Sequence, residues 1–299
     1  MDVGLSCINH FGESICAHYQ LVDWVRQRNH EKAIKLQRAI SQSTCASVLL
    51  SCENFYHHWS PDDIAFLASY LSEFDVEIIC YVRPQDDYME SAWKQQAKIG
   101  ELRMPFPHFL ERHTHPKFLN DTHANYYRML APWSTVFGRQ AICLRVFNAD
   151  EFVDGQLLFD FLKSCGIDVA NMSRSLRLSV SAAASNRALP SELAELIRRV
   201  NVTGQVNKKE LPQLVSYLSA LREYKNIPLL SASDRVRILQ NYGDSNKALF
   251  EEYRGSVMPD CFQFKEAALS PSSVGRFEDL GTKSLISAWR ANPDFVPLG

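Results

Sequence analysis

Three short runs of apolar residues stand out against longer segments of mixed polarity. They are ASVLLS at 46–51, VEIICYV at 76–82 and AICLRVF at 141–147. None alternates apolar and polar positions, as a strand with one exposed face would. Strands that are covered on both faces show this uninterrupted pattern instead. The runs therefore predict three buried strands of a parallel sheet.

The segments beside these runs have the pattern of amphipathic helices. SPDDIAFLASYLSEF begins with Ser60 as a cap and Pro61 at the first helical position, and its apolar residues recur three and four apart. After the third run, NADEFVDGQLLFDFLKSCGI predicts a helix from Gly155 to Cys165, with Gly166 as its stop. Strands that alternate with helices indicate an α/β fold.

The second half of the chain has a different pattern. From Asp168 a stretch rich in Ser, Ala and Arg predicts a long surface connection. Beyond it, PSELAELIRRV, KKELPQLVSYLSALREY and SASDRVRILQNYGDSNKALFEEYRG have helical spacing, and the tail after Pro259 has little pattern. We therefore expect an α/β core at 1–167, and a linker with a helical region packed on that core at 168–299.

Composition narrows the possible functions. The chain has 32 basic and 34 acidic residues, so its overall charge would not hold a nucleic acid, and any anion site must be local. No apolar stretch approaches the ~20 residues that span a bilayer. The start MDVGLSCINHFGES lacks a secretion signal, and the eight cysteines form no CxxC pair. These features predict a cytoplasmic protein with reduced thiols and no membrane span.

The end of the second apolar run carries the main candidate for chemistry. Arg83 leaves the carboxyl end of a predicted parallel strand, where open α/β sheets bind ligands. Pro84 then starts a helix on which Tyr88, Ser91 and Gln95 share a face. The Arg83 guanidinium and the Ser91 hydroxyl could meet on one anion. The alternative is a surface arginine and a serine that packs the helix.

An arginine at a strand end, followed eight residues later by a serine inside a helix, resembles the 3′-phosphate motif of sulfotransferases that use 3′-phosphoadenosine 5′-phosphosulfate. The order of VLLSCENF, YVRPQDDYMESAWKQQAKIG, YYRMLAPWSTVFG and LRVFNADEFVDGQLLFDFLKSCGI is also similar to that of bacterial sulfotransferase-like proteins, over residues 46 to 167. SNKALFEEYRG resembles their C-terminal helix. The resemblance implies a three-layer sandwich around a mostly parallel sheet, the P-loop NTPase-like sulfotransferase fold.

One feature of that family has no counterpart in this chain. The family begins with a strand, a loop rich in Gly, Lys and Thr, and a helix, which together hold the 5′-phosphosulfate. Here residues 1–20 contain only Gly4 and Gly12 as glycines, and no GxxxxGK[ST] occurs. We therefore expect the N-terminal strand of the fold to be missing. Either the gene product is shortened or the sheet is rebuilt.

The resemblance also suggests a catalytic base. Glu53 follows the first predicted strand, where the family carries a histidine or an acid, and His57 and His58 are alternatives one turn further on. Such a group would take the proton of the acceptor hydroxyl during sulfuryl transfer. Equally, Glu53 could cap a loop or pair with Arg83. Arg145, inside the third run, is expected to pair with an acid or to line the pocket.

The residues that would bind the acceptor are less clearly marked in the sequence. His123, Tyr126 and Tyr127, with Trp133, offer polar tips and aromatic faces suited to a carbohydrate or another small hydroxyl-bearing metabolite, although aromatic residues at this spacing also pack helices. Histidines and acids crowd 108–123, but their spacing fits no common zinc pattern, and we expect no metal. GxSxG and GxGxxG motifs are absent from the sequence.

Three functions follow from these patterns. The first is sulfuryl transfer from 3′-phosphoadenosine 5′-phosphosulfate to a hydroxyl acceptor, with low activity expected because the phosphosulfate loop is missing. The second is a non-catalytic or truncated relative that acts as a binding or interaction protein. The third is another nucleotide-dependent transferase, which would prefer a nucleotide without a 3′-phosphate.

Overall fold

The structure is a computed structural model of the 299-residue chain. It describes residues 18–56, 59–119, 123–173, 175, 177, 189–221, 223–263 and 282–291. The main helices in these ranges are α1 (Tyr19–Arg26), α2 (His30–Ser41), α3 (Pro61–Leu71), α4 (Gln85–Lys98), α5 (Phe106–Thr114), α6 (Tyr126–Phe137), α7 (Leu157–Ser164), α8 (Ser191–Thr203), α9 (Leu211–Leu221), α10 (Ala232–Tyr253) and α11 (Thr282–Arg290). The strands are β1 (Ile78–Val82) and β2 (Ile142–Val146).

The two strands form a small parallel sheet, which makes the fold helix-rich α/β. The second and third predicted strands are confirmed, each slightly shorter than its apolar run. Just beyond the ladder, the backbone N–H of Phe147 donates to the carbonyl of Val82 at 2.6 Å. The carboxyl ends of β1 and β2 therefore lie side by side.

The prediction of a first strand at 46–51 is wrong. The segment joins no ladder among the described residues. Val48 and Leu49 are 46% and 40% exposed, whereas a strand covered on both faces would bury them. Its end is held instead by His18, whose backbone N–H donates to the carbonyl of Ser51 at 2.8 Å. An apolar run does not itself supply the neighbouring strands that would cover it.

The predicted helices around the sheet are confirmed. α3 begins with a capping box, in which the Ser60 hydroxyl accepts from the N–H of Asp63 while the Asp63 carboxylate accepts from the N–H of Ser60. α7 is shorter than the predicted helix, and Gly166, with φ of +75°, follows its end as expected. α4 begins one residue later than predicted, because Pro84 is its cap.

The C-terminal region is helical as predicted: α9 and α10 lie within their expected segments, and α8 continues three residues past its segment, to Thr203. α11 was not predicted, because the tail after Pro259 shows too little periodicity. Most of the connection predicted from Asp168 lies outside the described residues.

The described residues divide into two compact units, each assembled from separate chain segments. The first unit contains residues up to Tyr81, Asn125–Arg145 and Ala248–Ser256. The second contains Val82–Ala124, Val146–Lys247 and residues from Val257 onward. The chain crosses between units several times, including inside α10. The division into 1–167 and 168–299 stays a prediction.

Each unit has its own packing. In the first, α3 lies against α6, and α1 and α2 pack on α3, burying side chains such as Ile64 and Leu130. In the second, α4 lies against α8, with Met89 and Trp93 fully buried. A further cluster joins α8, α9 and α11 around Leu196 and Leu214. Burial of these apolar surfaces stabilises each unit.

The described residues also bear on the expectations about membrane spans and disulfides. No helix in the described ranges is long and apolar enough to cross a bilayer. None of the six cysteines that the structure describes forms a disulfide: Cys45, Cys52, Cys80, Cys143, Cys165 and Cys261.

Candidate functional site

Arg83 follows β1 directly and is half-buried at the carboxyl end of the sheet. Its guanidinium lies over the ring of Phe147, with 4.2 Å between Cζ and the ring centroid. Phe147 occupies the equivalent place after β2, so the two ends of the parallel strands bring the pair together. A cation over an aromatic face is worth roughly 0.5–1 kcal/mol when exposed. The ring thus orients the guanidinium at the strand end.

Ser91 lies on the helix that starts immediately after Arg83. It is half-buried and sits on the side of α4 opposite the fully buried Trp93. Within the described part of the chain, its hydroxyl has no hydrogen-bond partner. The six-residue rise from Gln85 to Ser91 is about 9 Å along the helix axis. A ligand that uses both side chains would need Arg83 to extend along α4.

The start of α4 is anchored by a buried pair of amides. Gln85, the first residue of the helix, donates from Nε2 to Oδ1 of Asn246 at 2.7 Å, and Asn246 returns a bond from Nδ2 to Oε1 of Gln85 at 2.9 Å. Gln85 also donates to the carbonyl of Ala124 at 3.1 Å. Both amide side chains are buried. They fix the helix two residues after Arg83.

The first turns of α4 carry three carboxylates that converge on one arginine of α10. Arg235 contacts Asp86 at 2.6 Å, Asp87 at 3.2 Å and Glu90 at 3.0 Å. Three carboxylates meet one guanidinium, so negative charge is in excess. Lys94 adds only a longer contact of 3.9 Å to Glu90. This excess negative charge would repel an anionic ligand bound beside the three carboxylates. Asp87 is four residues before Ser91 and shares its face of α4, so an anion bound at Ser91 would also lie near this carboxylate.

Asp86 is the most buried of these acids. Burial raises the pKa of its carboxyl, the charge of Asp87 adds to the rise, and Arg235 opposes it. One of its oxygens, Oδ1, has no hydrogen-bond partner among the described residues. The pairing with the carboxylates raises the pKa of Arg235 although burial opposes this rise, so Arg235 remains the cation of the cluster.

Glu53, the candidate base, opens a short 3₁₀ turn, Glu53–Tyr56, and is exposed. An aromatic cluster follows it in the same unit. Trp59 lies 5.3 Å from Trp133 and 5.5 Å from Phe55 between ring centroids. Its indole N–H donates to the carbonyl of Asn54 at 2.9 Å, which fixes the loop beside Glu53. The alternatives His57 and His58 lie outside the described residues.

The predicted acceptor residues have different surroundings. His123 is half-buried in a turn before α6, and Tyr126 is only 2% exposed, within the core. Tyr127 is half-buried, and its hydroxyl donates to Oε2 of Glu252 at 2.8 Å. That hydrogen bond raises the pKa of Tyr127. Of the three, Tyr126 could reach a substrate only if the surrounding side chains moved.

The units place the predicted residues in two groups. Arg83, Ser91 and His123 belong to the second unit, whereas Glu53, Tyr126 and Tyr127 belong to the first. Arg145 is half-buried in β2, in the first unit. No group of histidine, cysteine and acidic side chains suited to a metal occurs among the described residues.

Sequence reasoning missed the residues that support Arg83. Phe147 is the last residue of one apolar run and Arg83 follows the end of another, so knowing that the two strands are neighbours would have identified the pair. Gln85 and Asn246 are 161 residues apart, and neither has a local pattern that marks it. The one signal in the sequence was Gln85, a polar residue between Pro84 and the buried face of the helix, because a buried polar group needs a hydrogen-bond partner.

Comparisons with known proteins give little help with function. The chain matches none of the known protein-family profiles, and no solved structure matches it. An uncharacterised protein of the archaeon Archaeoglobus fulgidus is 28% identical over 183 residues, which is 60% of this chain and 46% of the relative. The matched segment therefore spans less than half the length of that relative.

Proposed function

We propose that the chain is a sulfotransferase-like protein that binds 3′-phosphoadenosine 5′-phosphosulfate through Arg83 and Ser91. The observation that carries the proposal is the junction of β1 and α4. Arg83 lies at the carboxyl end of a parallel strand, oriented by Phe147, and Ser91 offers its hydroxyl from the adjoining helix. The guanidinium would supply charge-assisted hydrogen bonds to the 3′-phosphate, and Ser91 a further donor.

The proposed reaction moves a sulfuryl group to a hydroxyl of a carbohydrate or small metabolite. The acceptor oxygen forms a bond to sulfur, the bond from sulfur to the bridging phosphate oxygen breaks, and 3′-phosphoadenosine 5′-phosphate leaves. Glu53 would take the acceptor proton, or His57 or His58 in its place. His123 and Tyr127 would contact the acceptor, and Tyr126 would support them from the core.

The finer fold proposed with this function is the three-layer P-loop NTPase-like sulfotransferase sandwich, of which β1 and β2 would be the central part. No segment before β1 is rich in Gly, Lys and Thr, as the family's loop for the 5′-phosphosulfate is. Losing one preorganised donor of this kind costs ~10²- to 10³-fold in rate. We expect these 299 residues alone to bind nucleotide weakly and to transfer no sulfuryl group above background.

The test is dependence on the 3′-phosphate. Calorimetric titrations would compare 3′-phosphoadenosine 5′-phosphate with adenosine 5′-monophosphate, which lacks that group. Binding of the first at least tenfold more tightly is the expected result. Equal affinity, or preference for the monophosphate, would favour another nucleotide-dependent transferase.

The second candidate is a non-catalytic relative that binds a nucleotide or a partner. The lack of a segment rich in Gly, Lys and Thr before β1 favours it. A transfer assay with labelled 3′-phosphoadenosine 5′-phosphosulfate and a panel of sugars and phenols separates the two candidates. Nucleotide binding without transfer supports the second, and robust transfer would show that another segment holds the phosphosulfate.

A further inference from the structure

The first unit contains a cavity of about 510 Å³ that no part of the proposed reaction uses. Its apolar walls include Leu71, Phe74, Val136 and Phe137, and its polar side includes Asp75 and Glu77. Ligand pockets in proteins have volumes of about 300–1,000 Å³ and combine apolar walls with a few polar groups. The cavity has the size and the composition of a binding site for a small organic molecule.

Two helix ends and two strand starts build this cavity. α3 ends at Leu71, where the chain turns as the N–H of Phe74 donates to the Leu71 carbonyl at 3.0 Å. α6 ends at Phe137, and Gly138 follows with φ of +88°. A side chain on Gly138 would be strained and would come within 2.6 Å of the Gln140 amide, which also lines the cavity.

The electrostatics of this cavity favour a positive ligand. Asp75 and Glu77 are both exposed, and neither has a cationic partner in the described ranges. No lysine or arginine is among the described residues that line the cavity. Arg139, beside it in sequence, donates to the backbone carbonyl of Glu252. The carboxyl ends of α3 and α6 add the negative ends of two helix dipoles.

The walls also suit the apolar part of such a ligand. Phe137 stacks on Trp133, with 6.1 Å between centroids and 14° between ring planes, so its ring is held in place. Phe74 and Phe137 both line the cavity, and aromatic rings attract organic ammonium groups. Carboxylates at the polar side and rings along the wall match the two parts of an amine with an apolar body.

We propose that this cavity binds an organic cation, an amine that carries an apolar or aromatic group, with Asp75 and Glu77 as the counter-charges. The ammonium group lies against the two carboxylates, and the apolar body lies between Leu71, Phe74 and Phe137. The cavity is lined by none of the residues proposed to contact the nucleotide, Arg83 and Ser91.

The probe is 2-phenylethylamine, titrated into the full chain by calorimetry at neutral pH and low salt. Neutral 2-phenylethanol and anionic 3-phenylpropionate serve as matched ligands of similar shape. We expect the amine to bind at least tenfold more tightly than the alcohol, and the acid not to bind. Equal binding of the amine and the alcohol, or no binding of the amine, would overturn the proposal.

Variants identify where the amine binds. The double variant Asp75→Asn with Glu77→Gln should weaken amine binding at least tenfold, whereas Glu73→Gln, an exposed carboxylate of the same turn that does not line the cavity, should leave it unchanged. Ala68→Phe, which fills the cavity from α3, should also abolish binding with an unchanged far-ultraviolet circular dichroism spectrum. An equal loss in Glu73→Gln would mean diffuse surface attraction and would refute the site. The affinity for 3′-phosphoadenosine 5′-phosphate should stay the same in the double variant.

Discussion

Gln85 and Asn246 hold each other by two reciprocal hydrogen bonds in the interior of the second unit, at 2.7 and 2.9 Å. The pair joins the first residue of α4 to α10. Because Arg83 is only two residues before Gln85, this pair also determines where the guanidinium can lie. Buried amides that satisfy each other are stabilising as a pair and costly when separated.

Gln85→Leu should therefore destabilise the protein by about 1–3 kcal/mol, because the Asn246 amide is left buried without its partner. Urea unfolding followed by circular dichroism measures this change. Gln95→Leu, on an exposed position of the same helix, is the control and should have little effect. Combining Gln85→Leu with Asn246→Leu should recover part of the loss. A double variant with the sum of the two single losses would contradict mutual satisfaction.

Asp86 should make stability depend on pH. Because burial raises the pKa of this carboxyl above its unfolded value near 3.9, the folded state holds the proton more tightly than the unfolded state. The stability that this group contributes is present below the unfolded pKa and is lost as the pH rises through the raised folded pKa. Asp86→Asn should remove this part of the pH dependence. Urea midpoints at several values between pH 4 and pH 7 measure it.

Arg235→Met tests the same cluster of charges by removing its arginine. It leaves the three carboxylates of α4 without their main cation, and we expect a loss of about 2 kcal/mol at pH 7. The loss should shrink at lower pH, as the carboxylates become protonated. Arg237→Met is the matched control on α10, since its contact is with Asp234 of the same helix at 3.0 Å. If both variants behaved alike, the cluster would have no special role.

Cys80 should be an unreactive thiol. It is half-buried in β1, and the partial removal of its thiol from water, with a smaller effect of Cys143, raises its pKa to about 12. Only about one thiol in ten thousand would then be ionised at pH 8, and the thiolate is the reactive form. Iodoacetamide labelling followed by mass spectrometry should modify the exposed Cys45 first and Cys80 only after unfolding. Fast labelling of Cys80 in the folded protein would contradict the raised pKa.

Glu53→Gln should leave the affinity for 3′-phosphoadenosine 5′-phosphate unchanged within about twofold, because a general base acts on the acceptor and not on the nucleotide. Calorimetric titration of the variant measures this directly. A large loss of affinity would place Glu53 at the nucleotide and contradict its proposed role.

The sequence predicted β1, β2 and α3 correctly because each has a complete local signal. The two strands are uninterrupted apolar runs, and α3 has a cap, a proline at its first position and a regular apolar stripe. The run at 46–51 is also largely apolar, but no strand of the described residues pairs with it. α11, which buries Ile286 and Trp289, was missed because the tail after Pro259 shows too little periodicity. Local patterns cannot supply the tertiary contacts that decide such cases.

The candidate site, too, was predictable only where its signal is local in the sequence. The strand end at Arg83 and the helix carrying Ser91 were readable from the sequence. The ring of Phe147 required knowledge of which strands pair, and the Gln85 and Asn246 pair joins residues 161 positions apart. The cavity beside Asp75 and Glu77 depends on two helices ending at one place, and no motif marks that arrangement.

The central claim is that Arg83 and Ser91 bind the 3′-phosphate of the nucleotide. The most direct test is the dissociation constant for 3′-phosphoadenosine 5′-phosphate, measured by calorimetry for the wild type, Arg83→Ala, Ser91→Ala and Arg112→Ala. Arg112 is an exposed arginine of the same unit that has no role in the proposed site. We predict at least tenfold weaker binding for Arg83→Ala, a smaller loss for Ser91→Ala, and no change for Arg112→Ala. Wild-type affinity in Arg83→Ala, or no binding by any of the four proteins, would contradict the account.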